Sequence, residues 1–392
     1  MKQLIYIGLT CLLMACGGNP DSSGSPDDMN WHLFRGDAAL SGYIDIRLPK
    51  NPILLWTFKR DSRTVSSPVV DDGTTYWCDK KGVICGVNIN GKPIFEYDLQ
   101  TAVEATPMIY DSILYIGRID GKMTALSLSE KDIIWTYETT GQITASPNSV
   151  CFEGRQAIIF GSYDNFLHCV SNKDGAEIKR FETGYYLSGT VAVRKKYAIF
   201  GGCDSWLRII NCKTGIQTDS LLLDAYVPAS PAIMGDYCYI GDYSGNIYKL
   251  QVENGKIVRH KKIMNPTNKN GSFVSVPAIT SETAYFLTGD RHLYSIDLKE
   301  PTVNWKYRLK GNVGESSPVI CRDKVIVCTK TGIISIINAN NGKLEWEYDA
   351  GEQIVSSPAV IKDRFLILTT KGTLLCFGKK QCEPTVFIEQ QD

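Results

Sequence analysis

The sequence predicts an all-β protein, an eight-bladed β-propeller whose blades are four-stranded antiparallel sheets. The first observation is a short motif, a Ser, Thr or Val followed by Pro, that recurs about every 40 residues. The second is the order of strand-forming runs and turn residues after each motif, which indicates four short strands per repeat. The third is a further strand-like run ahead of the first repeat. One such sheet alone would expose both faces to water, so the units need neighbours of the same kind.

The repeat is clearest from Ser317 to Tyr348, where four β-rich runs are separated by turn residues. Its start recurs at Ser67-Pro68, Thr106-Pro107, Ser146-Pro147, Ser230-Pro231, Val276-Pro277, Ser317-Pro318 and Ser357-Pro358. One interval is double, and Thr190 within it is interpreted as a degenerate start. The intervals are then 39, 40, 44, 40, 46, 41 and 40 residues, which makes eight units. If the segment around Thr190 is an insertion instead, the ring has seven blades.

The run before the first repeat predicts how the ring closes. The last repeat, Ser357 to Phe377, supplies only three strands. Ile53–Phe58 contains Trp56, which lies eleven residues before the repeat start at Ser67. In other repeats an aromatic residue of the fourth strand precedes the start of the next repeat by a similar distance: Phe95, Trp135, Phe181, Trp305 and Trp346. We therefore expect Ile53–Phe58 to be the outer strand of the eighth blade, which removes an open sheet edge. The recurrent aromatic residue is interpreted as packing between blades.

The N-terminal segment predicts a lipid-anchored protein of the cell envelope. Lys2 precedes an apolar run, Leu4 to Ala15, that is too short to span a bilayer and has the length of a signal peptide. The run ends in Leu13-Met14-Ala15-Cys16-Gly17, which resembles a bacterial lipobox and implies cleavage before Cys16 and lipidation of its thiol. A common signal peptide with an incidental Cys is the alternative.

These features divide the chain into four segments: a signal peptide (1–15), a flexible tether (16–30), the propeller (31–378) and a C-terminal tail (379–392). Gly17 stands where proteobacterial lipoproteins retained at the inner membrane carry an acidic residue. This favours the outer membrane. The sequence allows the protein to face either the periplasm or the cell surface.

Composition excludes some classes of partner and chemistry. The 42 basic residues balance the 42 acidic ones and form no basic stripe, so nucleic acid is not an expected partner. Without Cys11 and Cys16, eleven of the 13 cysteines remain, an odd number that cannot pair completely. Three pairs within one unit could approach each other: Cys78/Cys85, Cys203/Cys212 and Cys321/Cys328. No Cys/His cluster has zinc spacing, and we predict no metal ligands.

No catalytic residue is predicted either. The four histidines, His32, His168, His260 and His292, are scattered over separate units without a recognisable triad. An aspartate recurs before the second hairpin of three units, at Asp120, Asp164 and Asp204. A turn role, in which the carboxylate bonds nearby backbone, explains it better than calcium binding does.

Two places depart from the regular repeat and are candidate contact sites. The long interval from Ser230 to Val276 contains the basic run Arg259–Lys262 and the polar run Pro266–Ser272, which could contact a partner or lipid headgroups, or be a solvated insertion. Tyr185-Tyr186-Leu187 stands where the fourth unit loses its Ser-Pro start. Exposed aromatic residues there would suit contact with protein or sugar, although a core position is equally compatible.

The repeat unit resembles the PQQ-type β-propeller repeat. The residues that carry the resemblance are Asn338-Ala339-Asn340-Asn341-Gly342-Lys343-Leu344-Glu345-Trp346 and, more loosely, Asn211-Cys212-Lys213-Thr214-Gly215. The opening Trp31–Asp37, followed by Ser41-Gly42, looks like the leader that precedes such propellers. The similarity extends from Trp31 to Gly378 and is specific for the fold, whereas several functions use this repeat.

Two branches of that family imply different functions. Quinoprotein dehydrogenases bind pyrroloquinoline quinone over calcium and commonly have a disulfide between adjacent cysteines, but this sequence has no Cys-Cys pair. The lipobox, tether, length and eight units are more similar to the BamB family, lipoprotein propellers of the outer-membrane β-barrel assembly machinery. That resemblance implies a monomeric, non-enzymatic scaffold without a cofactor, bound to an envelope protein.

In BamB-like proteins the partner is held by loops that lead into the Ser-Pro strands, and Gly314-Glu315-Ser316 is a similar loop. With Tyr185, Tyr186 and Leu187, these residues form the predicted partner-binding set. The alternatives are a quinone-dependent oxidoreductase and a surface receptor for glycan or protein.

Overall fold

The structure, a computed structural model, describes residues 29–264 and 275–379. These residues form 33 strands and contain no helix that could cross a membrane. The predicted signal peptide, Cys16, most of the tether, the tail beyond Lys379 and the run Pro266–Ser272 lie outside the described residues. Two strands precede the first blade, β1 (Tyr43–Ile44) and β2 (Ile53–Lys59).

The first four blades each consist of four consecutive strands. They are β3 (Val69–Asp71), β4 (Thr74–Cys78), β5 (Val83–Val87) and β6 (Pro93–Asp98); β7 (Met108–Tyr110), β8 (Ile113–Gly117), β9 (Lys122–Ser127) and β10 (Asp132–Glu138); β11 (Asn148–Phe152), β12 (Arg155–Gly161), β13 (Phe166–Ser171) and β14 (Glu177–Glu182); β15 (Ala192–Arg194), β16 (Tyr197–Gly201), β17 (Trp206–Asn211) and β18 (Ile216–Leu222).

The remaining four blades follow in the same order, and the last has three strands of its own. They are β19 (Ala232–Met234), β20 (Tyr237–Gly241), β21 (Ile247–Glu253) and β22 (Lys256–Met264); β23 (Ala278–Ile279), β24 (Thr283–Thr288), β25 (His292–Asp297) and β26 (Val303–Arg308); β27 (Val319–Cys321), β28 (Lys324–Cys328), β29 (Ile333–Asn338) and β30 (Leu344–Asp349); β31 (Ala359–Ile361), β32 (Arg364–Leu368) and β33 (Thr373–Gly378).

The eighth blade confirms the predicted ring closure. Strand β2 pairs antiparallel with β33, from Ile53 opposite Gly378 to Lys59 opposite Thr373, and completes a four-stranded sheet with β31 and β32. The unit that starts at Thr190 forms a full blade, β15 to β18, so the ring has eight members. The fold is therefore the predicted eight-bladed propeller.

A ring of side-chain hydroxyl groups explains the recurrent Ser-Pro motif. A residue that precedes proline is extended, and here its hydroxyl accepts the backbone N–H of the equivalent residue in the preceding blade. Such bonds run from Ser67 to Thr106 (2.9 Å), Thr106 to Ser146 (3.1 Å), Thr190 to Ser230 (2.7 Å), Val276 to Ser317 (2.9 Å), Ser317 to Ser357 (3.0 Å) and Ser357 to Ser67 (2.9 Å). The last bond closes the circle. We call Ser67, Thr106, Ser146, Thr190, Ser230, Ser317 and Ser357 the hydroxyl ring.

Outer-strand tryptophans lie between blades, as predicted. The Trp135 indole N–H donates to the carbonyl of Asn172 in the next blade (3.0 Å), and Trp305 and Trp56 make the equivalent bonds (both 2.9 Å). A glycine in the facing turn provides the space, because a Cβ on Gly175 would lie 2.6 Å from the Trp135 ring. The tryptophan and the glycine of successive blades are thus one packing unit.

The segment from Trp31 to Leu48, which we call the leader, follows the inner strands around the central channel. Its carbonyls accept N–H groups from one inner strand after another: Ile109 to His32 (2.7 Å), Val193 to Ala38 (2.6 Å), Ile233 to Ala39 (2.9 Å), Ile279 to Ser41 (2.9 Å) and Ile320 to Gly42 (2.8 Å). Strand β1 also pairs in parallel with β27, so the sheet of blade 7 has five strands. The sequence predicted a leader by resemblance and did not predict this course.

Arg35 fastens the leader inside the channel. Its side chain is fully buried, and the guanidinium donates to the carbonyls of Pro318 and of Pro277, the latter at 2.9 Å. Burial lowers the pKa of Arg35 to about 9, although the nearby Asp37 opposes the change. A cation is therefore held by backbone dipoles from the inner strands of blades 6 and 7.

The propeller has two distinct faces. All inner strands begin at the face that carries the hydroxyl ring, which we call the mouth face; the loops between blades and the second hairpins also lie there. The opposite, base face carries the first and third hairpins. Met29 enters at the base face, where its carbonyl accepts the N–H of Gly73 in the first hairpin of blade 1 (3.2 Å).

Eight of the ten cysteines in the described part of the chain are buried packing residues, whereas Cys151 is exposed and Cys203 is half-buried. The structure places ten cysteines in its described part and none of them in a disulfide, so the three pairs considered above are not bonded. Cys169 and Cys376 are buried in third strands, as their positions in the repeat predict. Burial raises the pKa of Cys85 and of Cys328 to about 12, which keeps both thiols protonated.

The hydroxyl ring generates a first prediction. Ser67→Ala should lower the free energy of unfolding by about 1–3 kcal/mol, because the Ser357 N–H loses its acceptor at the closing junction. The near-isosteric Val276→Thr should raise stability, because it restores a hydroxyl where the ring lacks one. Urea unfolding of both variants measures the effect. Equal destabilisation by the two changes would contradict this role for the ring.

Candidate partner-binding surface

The loops on the mouth face are tied down by one repeated hydrogen bond. In seven blades a backbone N–H of the second hairpin donates to a carbonyl of the loop that enters the same blade. The bonds are Lys80 to Arg63 (2.8 Å), Ile119 to Ala102 (3.1 Å), Tyr163 to Gln142 (2.9 Å), Cys203 to Tyr186 (3.3 Å), Tyr243 to Tyr226 (3.0 Å), Lys330 to Asn312 (2.7 Å) and Thr370 to Gln353 (2.7 Å). These paired positions present equivalent side chains around the mouth.

Aromatic residues occupy those positions on blades 3 to 5. Tyr163 stacks on Tyr186 with ring centroids 4.5 Å apart, and Tyr185 lies against Tyr186 at 4.6 Å. Tyr226 stacks on Tyr243 at 4.3 Å. Tyr185 is 52% and Tyr243 47% exposed, so large ring surfaces face water. We call these five residues the tyrosine patch.

The tyrosine patch is suited to protein contact. Tyrosine provides a rigid, amphipathic surface at a low cost in side-chain entropy, and it is enriched at protein interfaces. Partial desolvation and the neighbouring Tyr243 raise the pKa of Tyr226 to about 12, so its hydroxyl is neutral at pH 7. Contiguous exposed aromatic surface of this kind is typical of a binding site.

Asp204 holds the loop that carries Tyr185 and Tyr186. Its carboxylate accepts the backbone N–H of Gly184 (2.8 Å) and of Trp206 (3.1 Å), and it forms an ion pair with Arg208. The Asp204 side chain is 9% exposed. The predicted turn role of Asp204 is therefore confirmed, and it extends to the neighbouring loop.

The predicted partner-binding residues differ in exposure. Tyr185 and Glu315 are exposed, and Tyr186 is half-buried. Leu187 is buried in the core between blades 3 and 4, and Gly314 and Ser316 are buried as well. Both loops lie on the mouth face and meet the same central cavity, which Ser188 and Glu315 help to line. The buried members can shape the loops but offer no side-chain surface to a partner.

Sequence reasoning missed three members of the patch. Tyr163 and Tyr243 each lie two residues after a second strand, and Tyr226 precedes a fifth-blade start by four residues. Superposing the repeats by position would have shown aromatic residues recurring in these two slots. The sequence therefore contains the signal: tyrosine replaces other residue types at these two positions in particular repeats. The pattern is visible only when the repeats are aligned with each other.

Blades 7, 8 and 1 give the opposite side of the mouth a charged character. Lys330 and Arg63 are exposed there, and Lys80 pairs with Glu104 of the next blade (2.5 Å). Glu315 is the acidic residue of the loop into blade 7. The mouth face thus has an aromatic side and a charged side around one central opening.

Two of the four histidines, His168 and His32, make contacts within the fold. His168 is buried and stacked on Phe160; its imidazole contacts Asp164 (3.0 Å) and the Tyr137 hydroxyl (3.0 Å). Burial lowers the pKa of His168, although Asp164 opposes this. His32 contacts Asp71 (2.8 Å) at the leader. Each of these histidines is satisfied within the core or at its edge.

The basic run of blade 5 belongs to its outer strand. Strand β22 exposes Arg259, His260 and Lys261, while Lys262 reaches Asp224 of blade 4. Charged side chains on an outer strand also protect a free sheet edge from pairing with another chain. The run therefore lies on the rim of the propeller, away from the central cavity.

These features define a class: an eight-bladed propeller of PQQ-like repeats with exposed tyrosines on its mouth face. Comparison with known proteins refines this class. The family model described as outer membrane protein assembly factor BamB matches residues 53–185 and 167–384. The chain therefore belongs to the BamB family.

Individual relatives are distant. The chain is 21% identical to outer membrane protein assembly factor BamB of Shewanella oneidensis over 281 residues, 67% of each protein. The crystal structure of BamB from Moraxella catarrhalis superposes with a TM-score of 0.69 at 15% identity, covering 85% of this chain and 99% of that one. Quinohemoprotein alcohol dehydrogenase of Comamonas testosteroni has a TM-score of 0.74 at 13% identity, covering 91% and 82%. At such identities the structural similarities establish the fold alone.

The mouth does not fit a quinone–calcium centre. Such a centre needs carboxylate and amide oxygens that converge on one ion. Within residues 29–264 and 275–379, no group of three or more His, Cys, Asp or Glu side chains could hold a metal. Glu104 and Glu315 come from blades 2 and 7, and Glu104 is already paired with Lys80. The donor set of the dehydrogenases is therefore not reproduced by these residues.

Asp204 generates a prediction with a defined pH dependence. Burial opposes its ionisation, but Arg208 and the N–H groups of Trp206 and Gly184 outweigh it and lower the pKa of Asp204 below its ordinary 3.8. Its stabilisation is therefore present above about pH 4 and is lost as the pH falls through the lowered folded-state pKa. Asp204→Asn should lower the free energy of unfolding at pH 7 by about 1–3 kcal/mol.

Urea unfolding at pH 7, 5 and 3 measures this effect. The difference between wild type and Asp204→Asn should shrink at the lowest pH. Asp224→Asn is the control, because its pair with Lys262 is exposed and should contribute little. A loss that is the same at every pH, or as large in the control, would show that Asp204 acts through packing instead of charge.

Proposed function

We propose that this protein is a non-enzymatic scaffold of the cell envelope that docks a protein partner on its mouth face. The partner is a component of the machinery that assembles β-barrel proteins into the outer membrane. The observation that carries the proposal is the tyrosine patch, an exposed aromatic surface on the loops that enter blades 4 and 5. Membership of the BamB family supports the choice of partner.

The ring makes a suitable platform for such docking. The patch residues come from three consecutive blades, and each loop is bonded to the hairpin beside it. Rigid presentation reduces the entropy lost on binding, so more of the contact energy contributes to affinity. The loop at Glu315 can add a polar contact on the far side of the opening.

We further propose a lipid anchor at Cys16 and an outer-membrane location. The described chain begins at the base face, where Met29 and Asn30 bond to the first hairpin of blade 1. An anchor attached upstream of that point favours a base face near the membrane and a mouth face directed away from it. The docking loops would then be accessible to a partner that extends from the membrane.

In-cell photo-crosslinking tests the docking surface. A crosslinking amino acid at Tyr185 or at Glu315 should capture components of the barrel-assembly machinery. The matched control is Lys213, which is exposed in blade 4 on the base face. Capture of the same components from Lys213, or of none from the mouth positions, would overturn the proposal.

Substitution then measures what the patch contributes. The double variant Tyr185→Ala/Tyr243→Ala should weaken capture at least tenfold, because exposed tyrosines are frequent energetic centres of interfaces. Tyr110→Ala removes an exposed tyrosine (37% exposed) from the base face and should leave capture unchanged. Both variants should unfold near the wild-type midpoint, since the rings are at the surface.

The quinone-dependent oxidoreductase is the rival function, because a dehydrogenase shares the fold. Incubation with pyrroloquinoline quinone and calcium should give no absorbance change and no alcohol-dependent dye reduction. The physical reason is that no three His, Cys, Asp or Glu side chains of residues 29–264 and 275–379 converge to hold a metal ion. Dye reduction faster than in the protein-free control would contradict the scaffold function and support an enzymatic one.

A further inference from the structure

The centre of the mouth face contains a cavity that docking does not explain. Its volume is about 410 Å³, within the range of about 300–1,000 Å³ that small-molecule sites occupy. Phe34 of the leader lies at its floor, and the hydroxyl ring forms its wall. The leader therefore converts an open channel into a pocket that is closed at one end. We call this pocket the funnel.

The wall of the funnel has unused hydrogen-bonding capacity. Six hydroxyls of the ring accept one backbone N–H each, so each keeps a proton to donate and one lone pair. These side chains are more than nine-tenths buried. The Thr144 hydroxyl, in the layer above, is buried at its oxygen and has no partner among the described residues. Buried polar groups of this kind normally have partners.

The charges that line the funnel balance. Among the lining residues, Arg63 and Lys330 contribute two positive charges and Glu104 and Glu315 two negative ones, although Glu104 is also paired with Lys80, which lies outside the lining. An anion would meet both carboxylates and a cation both basic groups, so neither has a clear electrostatic advantage. A neutral ligand that both donates and accepts hydrogen bonds uses every group on this lining.

We propose that the funnel binds a small neutral saccharide, of one or two sugar units. Each sugar hydroxyl can both donate and accept a hydrogen bond. It can therefore donate to the Glu carboxylates, accept from the Arg guanidinium, and do either with the Ser and Thr hydroxyls of the wall. Apolar C–H faces of the sugar ring have partners in Phe34, Val65 and Val355, which line the same space. This inference goes beyond the docking function, since the tyrosine patch lies outside the funnel.

Thr144 provides a variant that tests the site without disturbing the fold. Thr144→Val is isosteric and removes a hydroxyl that makes no bond within the described residues, so the unfolding midpoint should not fall. Thr370→Val makes the same change on the opposite wall. Thr136→Val is the matched control, because Thr136 is exposed on the outer strand of blade 2.

Isothermal titration calorimetry on the full chain in detergent measures the binding. The neutral probes are D-glucose, D-galactose, N-acetyl-D-glucosamine and maltose, and the charged probes are citrate and spermidine. At least one neutral sugar should bind at a single site, and Thr144→Val and Thr370→Val should each weaken it about three- to tenfold. Thr136→Val should leave the affinity unchanged.

Several outcomes would overturn the saccharide site. They are the absence of binding by all four sugars, preferential binding of citrate or spermidine, and equal affinity of wild type and both funnel variants. Partner capture from Tyr185 should be unaffected by Thr144→Val. If no sugar binds but capture from Tyr185 is intact, the saccharide site is wrong and the docking function stands. If a sugar binds but capture fails, the docking function is wrong and the saccharide site stands.

Discussion

The whole structure depends on one closed circle of contacts around the central axis. The N–H of Ser357 donates to the hydroxyl of Ser67, and β2 pairs with β33, so the two ends of the repeat array are joined twice. Each blade alone would expose both faces of its sheet. Closure buries every inner strand between two neighbours and leaves no blade at an end. Tryptophans of the outer strands, such as Trp135 against Gly175, pack neighbouring blades together at the perimeter.

This circle separates stability from function. The hydroxyl ring and the inner strands form the core, so the loops on the mouth face can vary without opening the ring. On blades 3 to 5 they carry tyrosines, and on blades 7, 8 and 1 they carry charges. The leader adds a floor to the channel through Arg35 and Phe34. The tyrosine patch is therefore built from positions that closure does not need, whereas the wall of the funnel shares the hydroxyl ring with closure.

The sequence predicted those residues of the candidate site that can be recognised within a single loop. Tyr185 was identified at a departure from the repeat and Glu315 by the resemblance of its loop to those of BamB-like proteins, and both side chains are exposed. Leu187 and Ser316 belong to the same two loops but are buried, and Leu187 packs in the core cluster between blades 3 and 4. Tyr163 and Tyr226 join the patch from neighbouring blades, and their proximity depends on how blades are arranged around the axis.

The sequence by itself determined the four strands of each blade and the strand that closes the ring, because a period near 40 with a strand left over before the first repeat fits a closed ring. The structure decided between seven and eight blades, because the unit that starts at Thr190 forms a full sheet. The BamB-like class came instead from the resemblance of the repeat unit, the lipobox and the chain length to that family, which the family model confirms. Only the tertiary structure decided the path of the leader, the burial of Arg35 and the convergence of tyrosines from three blades. Those features rest on contacts between residues far apart in the chain, such as Gly42 with Ile320, and neither periodicity nor spacing encodes which distant groups meet at an axis.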